Sequence, residues 1–404
     1  MESRRIVLAV TGGIAAYKAP DLLRQLKKAG HEVRCVLTRS ASEFVSPLVL
    51  QTLSGQPVRQ NLFDPAEEGE IDHIGLADWA ELVIVAPATA DLLARMVHGR
   101  ADDLVTAVLL ATRAPVLVAP AMNVNMWSHP ATQANVAALA ERGVLRVGPE
   151  AGELACGWEG LGRMAEPAAI VAAAETALTP KGLVGETVVV TAGGTAEPID
   201  AVRSVTNRST GKMGFAIAEE AVRRGARVTL VVGPTVGIET PPGVERIDVG
   251  TAAQMRDAVL AELPAATIVI KAAAVADFRP AHAEERKIKK EALEEGSGLH
   301  LELVPTVDIL REVCASEGER IVVGFAAESH DVAGAAKRKI ARKGCDLLVA
   351  NDISRTDAGF GTDDNAVLFV TPGGEVEELP LLPKREVAAQ LFDRIEKLAR
   401  ERRT

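Results

Sequence analysis

The stretch Pro120-Ala121-Met122-Asn123-Val124-Asn125-Met126-Trp127 sets two carboxamides between two methionines and a tryptophan, directly after the apolar run Pro115 to Ala119. A carboxamide can both donate and accept, so it can orient a carboxylate, while Met and Trp can wall off an apolar chamber. Core packing accounts for Met122, Met126 and Trp127 but does not ask for Asn123. Upstream, His73 stands in Ile71-Asp72-His73-Ile74-Gly75-Leu76, at the start of a short helical stretch. A lone histidine there is more often structural than a proton carrier, though its titration range suits general acid–base work. Downstream, Cys156 lies among four glycines in Gly152-Glu153-Leu154-Ala155-Cys156-Gly157-Trp158-Glu159-Gly160-Leu161-Gly162. Such a segment reads as a flap carrying one thiol, with an inert exposed cysteine as the plainer alternative.

A second set of residues follows. Asn207 precedes Ser209-Thr210-Gly211-Lys212, a hydroxyl-rich helix start with a lysine in its first turn that suits an anion. It is not a Walker loop, because Thr206 stands where the first glycine is required. The run Ala272-Ala273-Ala274-Val275-Ala276-Asp277 ends a strand at a carboxylate, and Lys287-Ile288-Lys289-Lys290 follows ten residues later. By itself the lysine run reads as a solvated face balanced by Glu284, Glu285 and Glu291. An acidic strand end beside lysines also suits a metal–triphosphate and its departing pyrophosphate. Phe325, Lys339 and Lys343 extend the same basic, small-residue surface.

Two tandem α/β units must position these groups. Arg5 to Val10 is a strand, followed by Thr11-Gly12-Gly13, an amphipathic stretch to Lys28, Gly30 and a second strand from Glu32. The same order returns at Glu186 to Thr191, a glycine turn, a helix from about Lys212 to Arg224, Gly225 and a strand from Arg227. Apolar runs at Leu82–Ala86 and Pro115–Ala119 fit the first unit. Those at Thr267–Ala272, Arg320–Phe325 and Asp346–Ala350 fit the second, as in parallel sheets buried on both faces. The expected fold is therefore two doubly wound parallel-sheet domains, flavodoxin-like then Rossmann-like, over residues 1–180 and 185–404, with a helical tail from Lys384. The long connection from Ala192 to Gly211 is costly to order without a ligand and reads as a binding loop.

Neither glycine turn is GxGxxG. The second strands end in Thr38-Arg39-Ser40 and Gly233-Pro234-Thr235, without the acidic residue a dinucleotide ribose requires. A tandem nicotinamide-dependent reductase is thereby disfavoured, whereas a hydroxyl-and-arginine ending suits the phosphate of a flavin mononucleotide. The small residues of Ala86-Pro87-Ala88-Thr89 let a flat ring approach the backbone, a plain capped turn being the alternative.

Bulk properties narrow the class further. The chain has 404 residues, 48% hydrophobic and 25% charged, with a net charge of −10, which argues against a broad nucleic-acid footprint. The N-terminal apolar stretch is too short for a signal segment and no uncharged run approaches membrane-spanning length, so a cytoplasmic protein with no membrane partner is expected. Four widely spaced cysteines show no CxxC pairing and indicate neither a zinc site nor a disulfide framework.

In their order and context, HIGLADWA, PAMNVNMW and GELACGWEGLGR resemble the flavin-dependent half of the bifunctional coenzyme A biosynthesis family. That family joins a phosphopantothenoylcysteine decarboxylase to a phosphopantothenate–cysteine ligase, and the resemblance spans essentially the whole chain. It implies oxidation of the substrate's cysteinyl thiol by FMN to a thioaldehyde, loss of carbon dioxide, and reduction of the resulting enethiol. His73 would handle the proton, Asn123 would orient the reacting carboxylate, Cys156 would serve the final reduction and Asn125 would shape the pocket. Gly12, Gly13, Ser40, Pro87, Ala88 and Thr89 would hold FMN.

The second half resembles the ligase, in which CTP activates the carboxylate of 4′-phosphopantothenate as an acyl cytidylate that the amine of cysteine attacks. By that resemblance Asn207 stabilises the acyl cytidylate and Lys287 serves the activation step. Ala273, Asp277, Lys287, Thr306, Val307, Asp308, Ile309, Phe325, Lys339 and Lys343 line the nucleotide site, with Asp277 near Mg2+. Val307 stands where the family pattern has proline. A homo-oligomer is implied, with trimeric flavin domains and dimeric ligase domains forming a dodecamer. A flavodoxin-like regulatory binding subunit is the non-enzymatic alternative; such a protein could dispense with Cys156 or the ligase lysines, and both are present.

Overall fold

The computed structural model describes residues 3–62, 72–153, 157–289, 298–355, 357, 359 and 361–403. The chain divides into two compact units, Met1–Thr179 and Pro180–Thr404.

In the first unit the elements run β1 Arg5–Val10, α1 Ala19–Lys28, β2 Glu32–Leu37, α2 Pro47–Ser54, α3 Asp72–Trp79, β3 Leu82–Ala88, α4 Ala90–Val97 and α5 Leu104–Ala111. They continue with β4 Val116–Pro120, α6 Val124–Ser128, α7 Pro130–Glu141, β5 Leu145–Arg146, β6 Glu150–Glu153, β7 Glu159–Arg163 and α8 Pro167–Leu178. Strands β1 to β5 form a parallel sheet in the order β2-β1-β3-β4-β5, and β6 and β7 form a separate antiparallel hairpin. Alternation along β1 splits the core in two. Ile6, Leu8 and Val10 pack with Leu22 and Leu26 of α1 and Ile170 of α8, while Val7 and Ala9 face Leu76, Leu92 and Leu104 of α3, α4 and α5. Helices on both faces leave no wet side, which is why these strands read as unbroken apolar runs. Helix starts are fixed locally: Thr89 caps α4 through the Leu92 amide, and Asp103 and Thr106 make a reciprocal capping box on α5.

The second unit runs β8 Thr187–Ala192, β9 Ala196–Pro198, β10 Ser204–Thr206, α9 Lys212–Arg223, β11 Arg227–Val232, β12 Val244–Asp248, α10 Ala252–Glu262, β13 Ile268–Lys271 and β14 Phe278–Pro280. After these come β15 Leu303–Pro305, α11 Ile309–Ala315, β16 Ile321–Glu328, α12 Val332–Lys343, β17 Leu347–Asp352, β18 Asp364–Asn365, β19 Val367–Val370, β20 Val376–Glu378, β21 Leu382–Pro383 and α13 Lys384–Arg403. Its main sheet has the order β12-β11-β8-β13-β16-β17-β19-β20. Numbered by their appearance in this sheet alone, the six parallel strands lie 3-2-1-4-5-6, the doubly wound arrangement of nucleotide-binding domains. Val188, Val190 and Ala192 pack on Phe215 and Ile217 of α9 and Phe392 of α13, and Val189 packs on Met255 of α10 and Ile340 of α12.

The sheet is mixed, not wholly parallel as expected. β19 runs antiparallel to β17, and β20 antiparallel to β19. For β20 the cause is the Thr371-Pro372-Gly373-Gly374 turn, closed by Gly374 N–H to the Thr371 carbonyl at 2.9 Å with Gly374 at φ 83°, which returns the chain on β19 as a hairpin. Among the described residues, no helix is long and apolar enough to cross a membrane.

Candidate active sites

In a 2-1-3-4-5 sheet, strands leave β1 in opposite directions to β2 and β3, and a crevice opens at the carboxyl ends between β1 and β3. A cavity of about 390 Å3 lies there, lined by Thr11 and Gly12 after β1, Thr38, Arg39 and Ser40 after β2, and Thr89, Asp91 and Arg95 after β3, among others. Thr11 Oγ1 donates to the Pro87 carbonyl at 2.7 Å, tying the exits of β1 and β3 together. Gly12 is required by close approach: a Cβ placed there would lie 2.3 Å from Ser40 Oγ and 2.4 Å from Ser40 Cβ. The result is a narrow cradle in which the hydroxyls of Thr38, Ser40 and Thr89, with Arg39 exposed at the edge, can donate to a phosphate monoester; Glu43, Asp91 and Asp103 share the lining, the last two paired to Arg95. Gly13, Pro87 and Ala88 are outside the lining but adjoin it, a Cβ on Gly13 falling 3.7 Å from Thr89 Cγ2.

His73 and Asn123 are outside that cavity. His73 is the second residue of α3, half-buried, and its Nδ1 is a buried ring nitrogen with no hydrogen-bond partner. Asn123 caps α6, its Oδ1 accepting the Asn125 amide at 2.8 Å, so part of its presence at this strand exit is structural. Trp127 does not wall an open chamber. It is 8% exposed, beneath the Arg146 guanidinium at 5.6 Å, while Met126 is 50% exposed. Cys156 lies outside the described residues, but the hairpin that carries it packs on the Asn123 segment. The Met122 amide donates to the Gly162 carbonyl at 3.0 Å, and a Cβ on Gly162 would fall 2.3 Å from the Met122 carbonyl oxygen. The sheet exit bearing Asn123 and the base of the Cys156 hairpin are therefore one surface.

The second cavity, about 770 Å3, opens at the β8/β13 switch point of the other unit. Its walls include Asn207 to Gly214, Lys271 to Asp277, Thr306 to Leu310, Phe325, Lys339 and Lys343, so every nucleotide residue expected from the sequence except Lys287 reaches it. The usual dinucleotide position beside the first strand is filled by the protein itself. A Cβ on Gly233 would lie 2.0 Å from the Gly194 carbonyl oxygen, and one on Gly211 2.9 Å from Thr235 Cγ2. Instead the chain after β13 forms the floor: Ala273 N–H donates to Thr191 Oγ1 at 3.1 Å, Ala274 N–H to the Gly193 carbonyl at 2.9 Å and Ala276 N–H to Thr195 Oγ1 at 2.9 Å. Asn207 Nδ2 donates to the carbonyls of Ala274 and Val275, both at 3.1 Å, which locks the amide against that floor.

Opposite stands a cationic wall. Lys339 and Lys343 are four residues apart on α12 and so share a face. Burial holds Lys339 below the usual ammonium range, opposed by Glu328 and reinforced by Lys343. Lys343 pairs with Asp308, which also caps α11 through the Arg311 amide. Val307 in place of proline leaves this turn intact, because Thr306 N–H still donates to the Asp277 carbonyl at 2.9 Å and its hydroxyl to the Ala276 carbonyl. Lys287 is exposed and outside the lining; the next residue is anchored by Ile288 N–H to Asp200 Oδ2 at 3.1 Å and by Arg203 Nη2 to the Ile288 carbonyl at 2.6 Å. Among the described residues no group of three or more His, Cys, Asp or Glu is arranged to hold a metal ion. Asp277 alone fits Mg2+ only in company with phosphate and water oxygens.

Two cavity lysines escape a reading of the sequence. Lys271 is 6% exposed at the end of β13, and Lys384 is 7% exposed at the start of α13, donating to the Gly359 carbonyl at 3.0 Å and to that of Thr362. The signal for the first was present: one charge in the otherwise apolar Thr267-Ile268-Val269-Ile270-Lys271-Ala272 run.

A hydroxyl-lined switch-point cavity on a 2-1-3-4-5 sheet, followed by a second nucleotide-type α/β unit, defines a two-domain flavoprotein. The Flavoprotein family model matches residues 1–178, and the model described as DNA/pantothenate metabolism flavoprotein C-terminal domain matches residues 183–398. The coenzyme A biosynthesis bifunctional protein CoaBC of Vibrio vulnificus (strain YJ016) is 47% identical over 399 residues, covering 98% of this chain and 98% of that protein. The proteins of the same name from Bacillus subtilis (strain 168) and Escherichia coli (strain K12) are 46% and 48% identical over 99% and 98% of this chain, and 98% and 97% of their own. Among solved structures, the C-terminal domain of such a protein is 38% identical over 55% of this chain and 99% of that one, with a TM-score of 0.47. The chain belongs to the family of bifunctional coenzyme A biosynthesis proteins.

Proposed function

We propose that the chain ligates cysteine to 4′-phosphopantothenate with CTP in residues 185–404 and decarboxylates the product to 4′-phosphopantetheine with FMN in residues 1–180. One observation carries this reading: each unit opens its own switch-point cavity, the first lined by hydroxyl side chains with two arginines, three carboxylates and no lysine, the second by Asn207 and five lysines.

For ligation, Lys339 and Lys343 would hold the triphosphate of CTP, and Asp277 would help to hold Mg2+, which would neutralise charge on the phosphates. Lysines fixed on a helix face supply positive charge without reorganisation as pyrophosphate departs. Asn207, held against the Ala274 and Val275 carbonyls, faces the acyl cytidylate, and Ser209 to Lys212 at the start of α9 offer an anion site for the phosphate of 4′-phosphopantothenate. Lys287 assists activation from the neighbouring segment.

For decarboxylation, FMN when bound supplies the two-electron exchange with the substrate sulfur and carbon. Thr11, Gly12, Gly13, Ser40 and Thr89 hold it, with Pro87 and Ala88 along the ring. Asn123 orients the departing carboxylate, His73 moves the proton, and Cys156 delivers one to the enethiol. The chain works as a cytoplasmic homo-oligomer, dodecameric by its family pattern. The test separates the halves by mass spectrometry. Supplied 4′-phosphopantothenoylcysteine should lose carbon dioxide without CTP, and 4′-phosphopantothenate with cysteine should give that adduct only with CTP and Mg2+. Decarboxylation by flavin-free protein, or adduct formation without nucleotide, would refute the assignment.

A further inference from the structure

Lys271 is a charged residue on the sheet face that carries Val189, Val269 and Val322, beneath Met255 of α10. It sits directly opposite Thr191 across the parallel pair of β13 and β8. Its Nζ reaches Thr191 Oγ1 at 3.3 Å and Met255 Sδ at 3.7 Å, both weak partners for an ammonium with three donors. Thr191 Oγ1 also accepts the Ala273 amide, so the lysine is one hydrogen bond removed from the cavity floor, and it lines the cavity itself. The charged groups that line the same cavity are Asp277 after β13, Asp308 before α11, Lys339 and Lys343 on α12, Arg208 and Lys212 before and at the start of α9, and Lys384 at the start of α13; Asp308 is already paired to Lys343 and Lys212 to Asp363. A buried amine with one hydroxyl and one thioether for company is better satisfied neutral than charged.

We propose that Lys271 is an additional anion-binding residue of the nucleotide cavity, neutral before the nucleotide arrives, that takes up one proton as the triphosphate enters. The inference rests on the nucleotide reading of that cavity. Burial drives the amine down to about 7, with Asp308 the opposing influence. A polyanion brought into the same cavity favours the ammonium and raises its pKa again, and by linkage the affinity then depends on pH. The proton comes from solvent, and no covalent bond changes.

The test is calorimetric titration of the full-length protein with CTP at fixed excess Mg2+ and pH 8, in buffers of different ionisation enthalpy. Wild type should take up close to one proton per nucleotide bound, and its affinity should weaken by up to about tenfold per pH unit above neutrality. Lys271→Met should bind CTP more weakly at pH 7 with little proton uptake, and Lys339→Met should retain the uptake. CTP binding by wild type without proton uptake would overturn the inference while leaving the nucleotide site standing. Undiminished uptake in Lys271→Met would overturn it too, pointing to Lys339. No binding of CTP by wild type would remove the nucleotide reading and this inference together. The wild-type buffer dependence needs no variant to fold.

Discussion

Gly12→Ala tests the flavin cradle most sharply, because the strain comes from a single carbon. The new methyl would stand 2.3 Å from Ser40 Oγ, 2.4 Å from Ser40 Cβ and 2.9 Å from the Ser40 carbonyl carbon. Ordinary contacts between such atoms are about 3.5–4.0 Å, so the exits of β1 and β2 must separate by roughly 1 Å or more. Rotating the serine hydroxyl away relieves only the first contact. Forced insertion of a methyl into a packed site costs about 1–3 kcal/mol. If the phosphate of FMN lies between these turns, the same displacement weakens FMN binding by about 5- to 150-fold. The assay is flavin fluorescence titration of the apoprotein, with far-ultraviolet circular dichroism to verify folding. Ser40→Gly removes the two nearest atoms, so Gly12→Ala/Ser40→Gly should recover part of the loss, a coupling of about 1 kcal/mol or more. Folded Gly12→Ala protein that binds FMN within twofold of wild type would refute the reasoning.

Three further outcomes are expected. Asn123→Asp keeps the acceptor that caps α6 but replaces the amide with a charge repelling the substrate carboxylate, so decarboxylation should fall at least about 100-fold with flavin content unchanged, read by absorbance and product mass. Lys287→Gln should impair ligation and leave decarboxylation of supplied 4′-phosphopantothenoylcysteine intact; loss of both activities would contradict the assignment of separate sites. Lys271→Met should stabilise the ligand-free protein at pH 7. Folding lowers this lysine from 10.5 to about 7, so the unfolded chain holds the proton more tightly. The resulting penalty is full below pH 7 and vanishes as pH rises to 10.5, with an upper limit of roughly 5 kcal/mol. Denaturant midpoints of variant and wild type should therefore converge toward pH 10, and a variant less stable at pH 7 would contradict this.

The α/β class and the principal strands are legible in the sequence because the interiors of β1, β3, β8 and β13 are buried on both faces, so burial is written as the apolar runs Ile6–Val10, Leu82–Ala86, Val188–Val190 and Ile268–Ile270. Glycines at Gly12 and Gly211 likewise announce backbone crowding before the crowding atoms are known. The β19–β20 hairpin is less visible, since Val376, Glu377 and Glu378 form an exposed edge with no apolar pattern. Site membership is most legible where residues follow a strand end, as Ala273 and Asp277 follow β13. Asp277 and Thr306, 29 residues apart, meet through the Thr306 amide and Asp277 carbonyl, a contact no spacing rule predicts. Lys271 escaped notice because a charge near a strand end ordinarily marks the surface; here β8, α10 and the Asp308 turn cover it. Conversely, core packing does not ask for Asn123 in the sequence, yet the structure gives it a capping role, while Trp127 is buried as core packing allows.

The central claim, two consecutive reactions from one chain, is tested most directly by incubating the purified protein with 4′-phosphopantothenate, cysteine, CTP and Mg2+ and following product masses over time. The account predicts transient 4′-phosphopantothenoylcysteine, then 4′-phosphopantetheine with release of carbon dioxide. Flavin-loaded protein that forms neither compound, or that stops at the cysteine adduct, would contradict it.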